Sequence, residues 1–183
     1  ENREYVKLSG ITSNLQNAVV AIEDERFYKH NGIDMRGIMR AMKQNIVDSV
    51  ATKKISFSQG ASTITQQLLK NEVLSSEKKV ERKIKEQYLA VSLEKALEKQ
   101  LGSKEAAKKY ILELYLNTIS LHHGLHCVEA ASLYYFGKHA GELTLAESAM
   151  IAGITKNPSV YAPDANQEES RKRQLTVLSK MKD

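Results

Sequence analysis

Two glutamates, Glu23 and Glu86, bound a stretch in which three short runs crowd acids, amides, hydroxyls and cations together. The first run is Glu23-Asp24-Glu25-Arg26-Phe27-Tyr28-Lys29-His30-Asn31-Gly32. The second is Gly60-Ala61-Ser62-Thr63-Ile64-Thr65-Gln66-Gln67-Leu68-Leu69-Lys70-Asn71, and the third is Arg82-Lys83-Ile84-Lys85-Glu86. Carboxylates take and give protons at an anomeric carbon. Cations neutralise phosphate oxygens, and amides and hydroxyls suit sugar hydroxyls. Together these residue types fit a cleft that handles a sugar attached to a phosphate.

The elements that must position these runs read as helices. Hydrophobic residues make up 42% of the 183, which excludes a disordered chain and suits one folded domain, residues 1–183. The single cysteine, Cys127, excludes an intrachain disulfide. No stretch approaches the roughly 18 apolar residues of a membrane-spanning helix. The net charge of +5 suits nucleic acid, an anionic membrane or a phosphorylated substrate, and charge alone does not choose among them. The two prolines, Pro158 and Pro163, lie late, so long helices are expected before them.

Apolar spacing predicts helices over Leu15 to Arg26, capped by Ser13 or Asn14, and from Asp34 to about Val50. The second carries Met35, Ile38, Met39, Met42 and Ile46 on one face, which suits a lipid-facing patch or a core face. Thr52 to Gln59 reads as a mobile loop and Thr63 to Leu69 as a short helix. Lys79 to Leu101 is the longest pattern, with Ile84, Tyr88, Val91 and Leu97 or Ala96 on one stripe and Gly102 as its stop. Further helices cover Lys104 to Leu116, Val128 to Phe136, Thr144 to Ile154 and Glu168 to Lys180. No repeat or β-hairpin emerges, so the fold class is mainly α.

The three runs resemble the motifs of the peptidoglycan glycosyltransferases, the polymerase module of class A penicillin-binding proteins and of monofunctional transglycosylases. That family carries E-D-x-x-F-x-x-H-x-G, G-x-S-T-x-T-Q-Q, R-K-x-x-E, K-x-x-I-L-E-x-Y-L-N and R-[RK]-x-x-V-L, in this order. The chain matches the first three at Glu23 to Gly32, Gly60 to Gln67 and Arg82 to Glu86. It matches the fourth from Lys108 or Lys109 to Asn117, and the fifth loosely between Arg171 and Leu178. Five motifs in order are far more specific than any one of them. The resemblance implies a lysozyme-like, two-lobed fold, with head and jaw beside a long cleft. It also implies an inverting transfer that polymerises lipid II into β-1,4 glycan strands and releases polyprenyl pyrophosphate.

Residue roles follow from the same resemblance. Glu23 is the expected general base, its pKa moved toward neutral by a cleft lined with Phe27. For a lone glutamate, an exposed acid near a helix end would be the better reading; the complete motif weighs against it. Asp24 is expected to orient, and His30 and Gly32 to shape the turn. Ser62, Thr65 and Gln66 are expected at the substrate, with Gln66 the first choice, although Ser62 or Thr63 would also serve as a helix cap. Lys70, Lys78, Arg82 and Lys83 form the expected pyrophosphate clamp, where the bland alternative for such a run is a solvated helix face. Glu86 matches the second essential glutamate and is expected to hold the donor phosphate, or its metal, and Arg82 or Lys83. Glu113, Tyr115 and Asn117 read as cleft scaffold, with Asn117 also near substrate. No dedicated metal site is predicted; Mg2+ or Mn2+ would come with the substrate.

The chain departs from the family after Asn117. The family pattern I-Y-x-G-x-G-x-Y-G-V stands here as Ile119-Ser120-Leu121-His122-His123-Gly124-Leu125-His126-Cys127-Val128, so two glycines and two tyrosines are replaced. The backbone there is expected to take a different course. His122, His123, His126 and Cys127 also offer zinc-like donors, though a polar loop rim is the better reading. Thr155 replaces a proline common in relatives.

The implied partners are lipid II, the growing glycan chain, the bacterial membrane at its extracytoplasmic face, and proteins of the division or elongation machinery, with no nucleic acid. The start at Glu1 looks like a cut within a longer chain whose membrane anchor lies upstream. Moenomycin-type phosphoglycolipids are expected to bind. The rival readings are a weakened module that binds lipid II or a partner, and a lysozyme-like glycan-cleaving enzyme.

Overall fold

Each helix of the protein begins or ends where a local backbone group finds a partner. The computed structural model describes residues 4–52, 61–72 and 79–182. A 3-10 turn at Leu8–Gly10 precedes α1 (Ser13–Glu23), α2 (Met35–Thr52), α3 (Ile64–Glu72), α4 (Lys79–Leu101) and α5 (Lys104–Leu116). Then follow α6 (Val128–Phe136), α7 (Leu145–Ile154), α8 (Pro158–Tyr161) and α9 (Gln167–Lys182). No strand occurs among the described residues, so the fold is mainly α, as expected.

Caps explain several boundaries. Ser103 accepts from Ala106 N at the start of α5, and Thr144 with Glu147 makes a complete capping box at the start of α7. The thiol of Cys127 takes the same place at α6, accepting from Ala130 N at 3.3 Å. Gly102 at φ 82 ends α4 in the left-handed conformation that a helix stop favours.

Two helix groups meet at the candidate site. In one, α1 packs on α7 and α9; in the other, α3 packs on α4 and α5. Leu15, Val19, Ile151, Ile154 and Val177 fill the first, and Ile64, Ile111, Leu112 and Tyr115 the second, all within one buried cluster. Full burial of each large apolar side chain contributes roughly 1.5–3 kcal/mol.

The structure corrects several expectations. The first helix stops at Glu23, three residues short of Arg26, because Asp24 turns out of the helix at φ −157, ψ 69. Its N-cap is Thr12 rather than Ser13 or Asn14, with no side-chain cap bond. Along α4 the expected stripe is buried only at its end: Ile84 and Tyr88 are exposed and Val91 half-buried, while Leu97 shares the buried face with Glu86, Ala90 and Glu94. Apolar periodicity misses this face because half of it is carboxylate. On α2, Met35, Met39 and Met42 are 60–68% exposed and so are not core. The Ile46 side chain and residues 53–59 of the expected loop lie outside the described residues, although Thr52 itself ends α2.

Candidate active site

Glu23 occupies the last turn of α1, where the two helix groups touch. Gln67 of α3 donates its Nε2 to Glu23 Oε2 at 2.9 Å. Thr155, the C-cap of α7, donates its hydroxyl to Glu23 Oε1 at 2.6 Å. Both carboxylate oxygens are therefore held by neutral donors from separate helices. Gln67 is itself fixed: the Tyr115 hydroxyl donates to its Oε1 at 3.1 Å. Burial raises the Tyr115 pKa well above its ordinary value, and the charges of Glu23 and Asp24 add to this, so the phenol stays a neutral donor.

Asp24 faces the other way. It accepts from His30 Nε2 at 2.9 Å on both oxygens and from Ile64 N at 3.0 Å. Asp24 thus caps α3 from forty residues upstream and offsets donors that the helix start leaves unpaired. Behind it runs a buried polar chain. His30 Nδ1 lies 3.4 Å from Lys108 Nζ, which donates to Glu94 Oε1 at 2.8 Å; Thr65 Oγ1 also donates to Glu94, at 2.5 Å. With Lys108 donating to Nδ1, the network selects the His30 tautomer whose Nε2–H points to Asp24. Burial pushes the Lys108 pKa down although Glu94 pulls it up. Lys108, not the exposed Lys109 that pairs with Glu105, is therefore the lysine the fourth motif buries.

Gly32 completes the first motif by geometry. Its φ is +84, its carbonyl accepts from Thr63 Oγ1 at 2.6 Å, and a Cβ there would lie 2.6 Å from the backbone of Ala90. Only glycine allows the turn to press against α4.

Glu86 lies in a second cluster. Its Oε1 accepts from Lys83 Nζ at 2.6 Å and from Gln66 Nε2 at 3.3 Å, and Lys83 also donates to Ser62 Oγ at 2.9 Å. Glu86 is 3% exposed and already neutralised by Lys83, so it does not fit a dedicated metal ligand.

An open cavity of about 470 Å³ brings part of the predicted site together. Glu23, Asp24, Ser62, Thr63 and Gln67 line it, along with the cations Arg40, Lys156, Arg173 and Lys180. Burial lowers the Arg173 pKa while the charge of Glu23 pulls it back up. Other predicted residues lie elsewhere. Thr65 and Gln66 are fully buried, and Gln66 also holds Thr63 N at 3.0 Å. Lys70 is exposed at the end of α3, Arg82 is half-buried on α4, and Lys78 lies outside the described residues. Phe27 is buried beneath Lys108 instead of lining the cavity, because its ring packs in the core. Asn117 and Glu113 clamp the N-terminal segment: Asn117 exchanges hydrogen bonds with Val6 at 2.9 Å, and Glu113 accepts from Leu8 N at 2.7 Å.

Sequence reasoning missed Thr155 as a partner of Glu23, and it missed Arg40, Lys156 and Lys180. Isolated cations carry no local signal. Arg173 lay within the loosely matched fifth motif.

With this geometry in place, comparison with known proteins identifies the family. The transglycosylase family model matches residues 1–182, and the chain belongs to that family. It is 43% identical over 188 residues to penicillin-binding protein 1A of Clostridium botulinum, covering 100% of this chain and 21% of that protein. It is 45% identical over 178 residues to a protein of Cupriavidus necator provisionally named a transglycosylase, covering 97% of this chain and 70% of that one. Penicillin-binding protein 1F of Bacillus subtilis is 39% identical over 183 residues, with 24% of its length covered. The chain thus spans about a fifth to a quarter of its penicillin-binding relatives.

Proposed function

We propose that this chain is a peptidoglycan glycosyltransferase domain that polymerises lipid-linked disaccharide-peptide units with inversion at the anomeric carbon. The observation that carries the reading is Glu23: it sits on a cavity wall, both oxygens held by neutral donors, with four cations lining the same space. Glu23 takes the proton of the acceptor 4-hydroxyl. That oxygen bonds to the donor C1, the C1–O bond to pyrophosphate breaks, and its electron pair leaves on the phosphate. A single displacement of this kind gives a β product from an α donor and needs no covalent sugar intermediate.

Cations stabilise the leaving pyrophosphate. Lys83, joined to the cavity through Ser62, belongs to this group, as do Arg82 by its motif position and Lys70 and Lys78 by the family resemblance. Glu86 holds Lys83 in place. Any Mg2+ or Mn2+ would arrive with the substrate phosphates. No helix among the described residues is long and apolar enough to cross a membrane. The exposed methionines of α2 nevertheless support contact with lipid, and the proposed workplace is the outer face of the bacterial membrane, where partners of division or elongation would meet it.

The test is polymerisation of purified lipid-linked disaccharide-pentapeptide in detergent with divalent metal, comparing wild type with Glu23→Gln. Long strands from wild type and none from the variant support the assignment. Equal polymer from both removes Glu23 as the base. A folded wild type that makes no polymer but binds the substrate points to the binding-module reading. Affinity for a moenomycin-type antibiotic that survives both Lys70→Ala and Arg82→Ala would dismiss the clamp.

A further inference from the structure

The segment that departs most from the family carries a second cluster of ligating side chains. His122, His123 and Asp164 each present one donor atom, and all three atoms lie within 4.8 Å of one another. His123 Nε2 is already 2.8 Å from Asp164 Oδ2, and the two imidazole centroids are 4.1 Å apart. Tyr134 supports the group, with its hydroxyl 3.3 Å from Asp164 Oδ2 and its ring 5.5 Å from that of His123.

The backbone brings this about. His122 and His123 stand at φ 77 and φ 48, and Gly124 follows at φ 71. At His122, one of the replaced glycine positions, a histidine therefore holds a conformation that favours glycine. Left-handed backbone at two successive non-glycine residues is unusual and persists only where surroundings or function hold it. Here it sets both rings beside Asp164, which comes from the link between α8 and α9. The zinc-like set suggested by spacing is different. Cys127 is buried and caps α6, and neither it nor His126 joins the cluster.

We propose that His122, His123 and Asp164 bind a divalent transition-metal ion that ties the 121–127 loop to the α8–α9 link. Two imidazoles and a carboxylate suit Zn2+ and similar borderline ions, whereas Mg2+ and Ca2+ favour all-oxygen sets. Tetrahedral Zn2+ sets its ligands roughly 3.3 Å apart from bond lengths of about 2.0–2.1 Å. The His123–Asp164 pair is already inside that spacing, and His122 closes on it by side-chain rotation. Half-buried His122 and exposed His123 and Asp164 leave the remaining positions to water. The ion is therefore exchangeable, and it acts as a clip for a loop in which glycines have been lost. Tyr134 orients Asp164 from behind, as outer partners of metal ligands do.

The experiment uses untagged, EDTA-treated protein dialysed against Zn2+, with bound metal quantified and Co2+ absorption as a second probe. Wild type is expected to take up one ion per chain, undisturbed by excess Mg2+. His123→Ala and Asp164→Asn weaken binding by at least about tenfold, while His126→Ala and Cys127→Ser leave it unchanged. Zn2+ raises the melting temperature of wild type but not of His122→Gly, which loses a ligand and relaxes the backbone together. Absence of stoichiometric Zn2+, binding that survives both His123→Ala and Asp164→Asn, or binding lost in Cys127→Ser would each overturn the proposal.

Discussion

Replacing Lys108 by methionine removes a buried ammonium and keeps its unbranched stem. Lys108 is 1% exposed, its Nζ is 2.8 Å from Glu94 Oε1 and 4.4 Å from the Phe27 ring centroid. Glu94, 5% exposed, is left with the Thr65 hydroxyl. Stranding one member of a buried pair costs about 3–5 kcal/mol, against a total stability of roughly 5–15 kcal/mol for a domain. At about 2–4 °C per kcal/mol for a chain of this size, the melting temperature falls by about 6–20 °C. Adding Glu94→Gln removes the stranded charge yet keeps an acceptor for Thr65, so the double variant regains about 1–2 kcal/mol. Urea unfolding followed by circular dichroism measures all three proteins.

The pH dependence gives the same pair a second signature. Burial holds the folded Lys108 pKa below its ordinary 10.5, so desolvation outweighs the pull of Glu94. Between the folded value and 10.5 the unfolded chain binds a proton that the folded chain has released, so the contribution of Lys108 to stability rises with pH. That contribution is complete above 10.5 and is lost as pH falls through the folded value. Lys108→Met lacks this rise. A loss below about 1 kcal/mol in Lys108→Met, or a double variant no more stable than the single, refutes the reasoning.

Two further substitutions probe how the site is held. Tyr115→Phe deletes the hydroxyl that orients Gln67 and is expected to cost about 1 kcal/mol in urea unfolding; polymerisation should fall up to about tenfold in kcat with little change in KM, since a misoriented Glu23 affects the chemical step. An unchanged kcat would mean that Gln67 keeps its pose without the phenol. Gly32→Ala combines left-handed strain with a 2.6 Å contact on the Ala90 backbone, so a loss of at least about 2 kcal/mol, or failure to fold, is expected by thermal melting.

The parts of the fold legible in the sequence were those decided locally. The bounds of α4, α5 and α6 stand where the sequence reading put them, with Gly102 as the stop of α4. The end of α1 was not legible, because it is decided by Ile64 N and His30 drawing the Asp24 carboxylate away. The buried face of α4 was hidden for a related reason. Glu86 and Glu94 are buried by partners on α3 and α5, and a carboxylate in a hydrophobicity pattern reads as solvent-facing until its partners are known.

The same distinction runs through the candidate site. Motif residues were legible as a group, yet the side chains divide by direction. On α3, Gln67 turns to Glu23 while its neighbour Gln66 turns inward to Glu86, and nothing in two consecutive glutamines tells them apart. One helix thereby holds both glutamates: Gln67 holds Glu23, the proposed base, and Gln66 holds Glu86, the partner of Lys83. Asp24 caps that helix, and the chain from His30 through Lys108 to Glu94 and Thr65 secures it from behind. Movement of α3 would disturb the base and the cationic cluster together. Damage at Lys108, remote from the cavity lining, should therefore reach both ends of the proposed reaction at once.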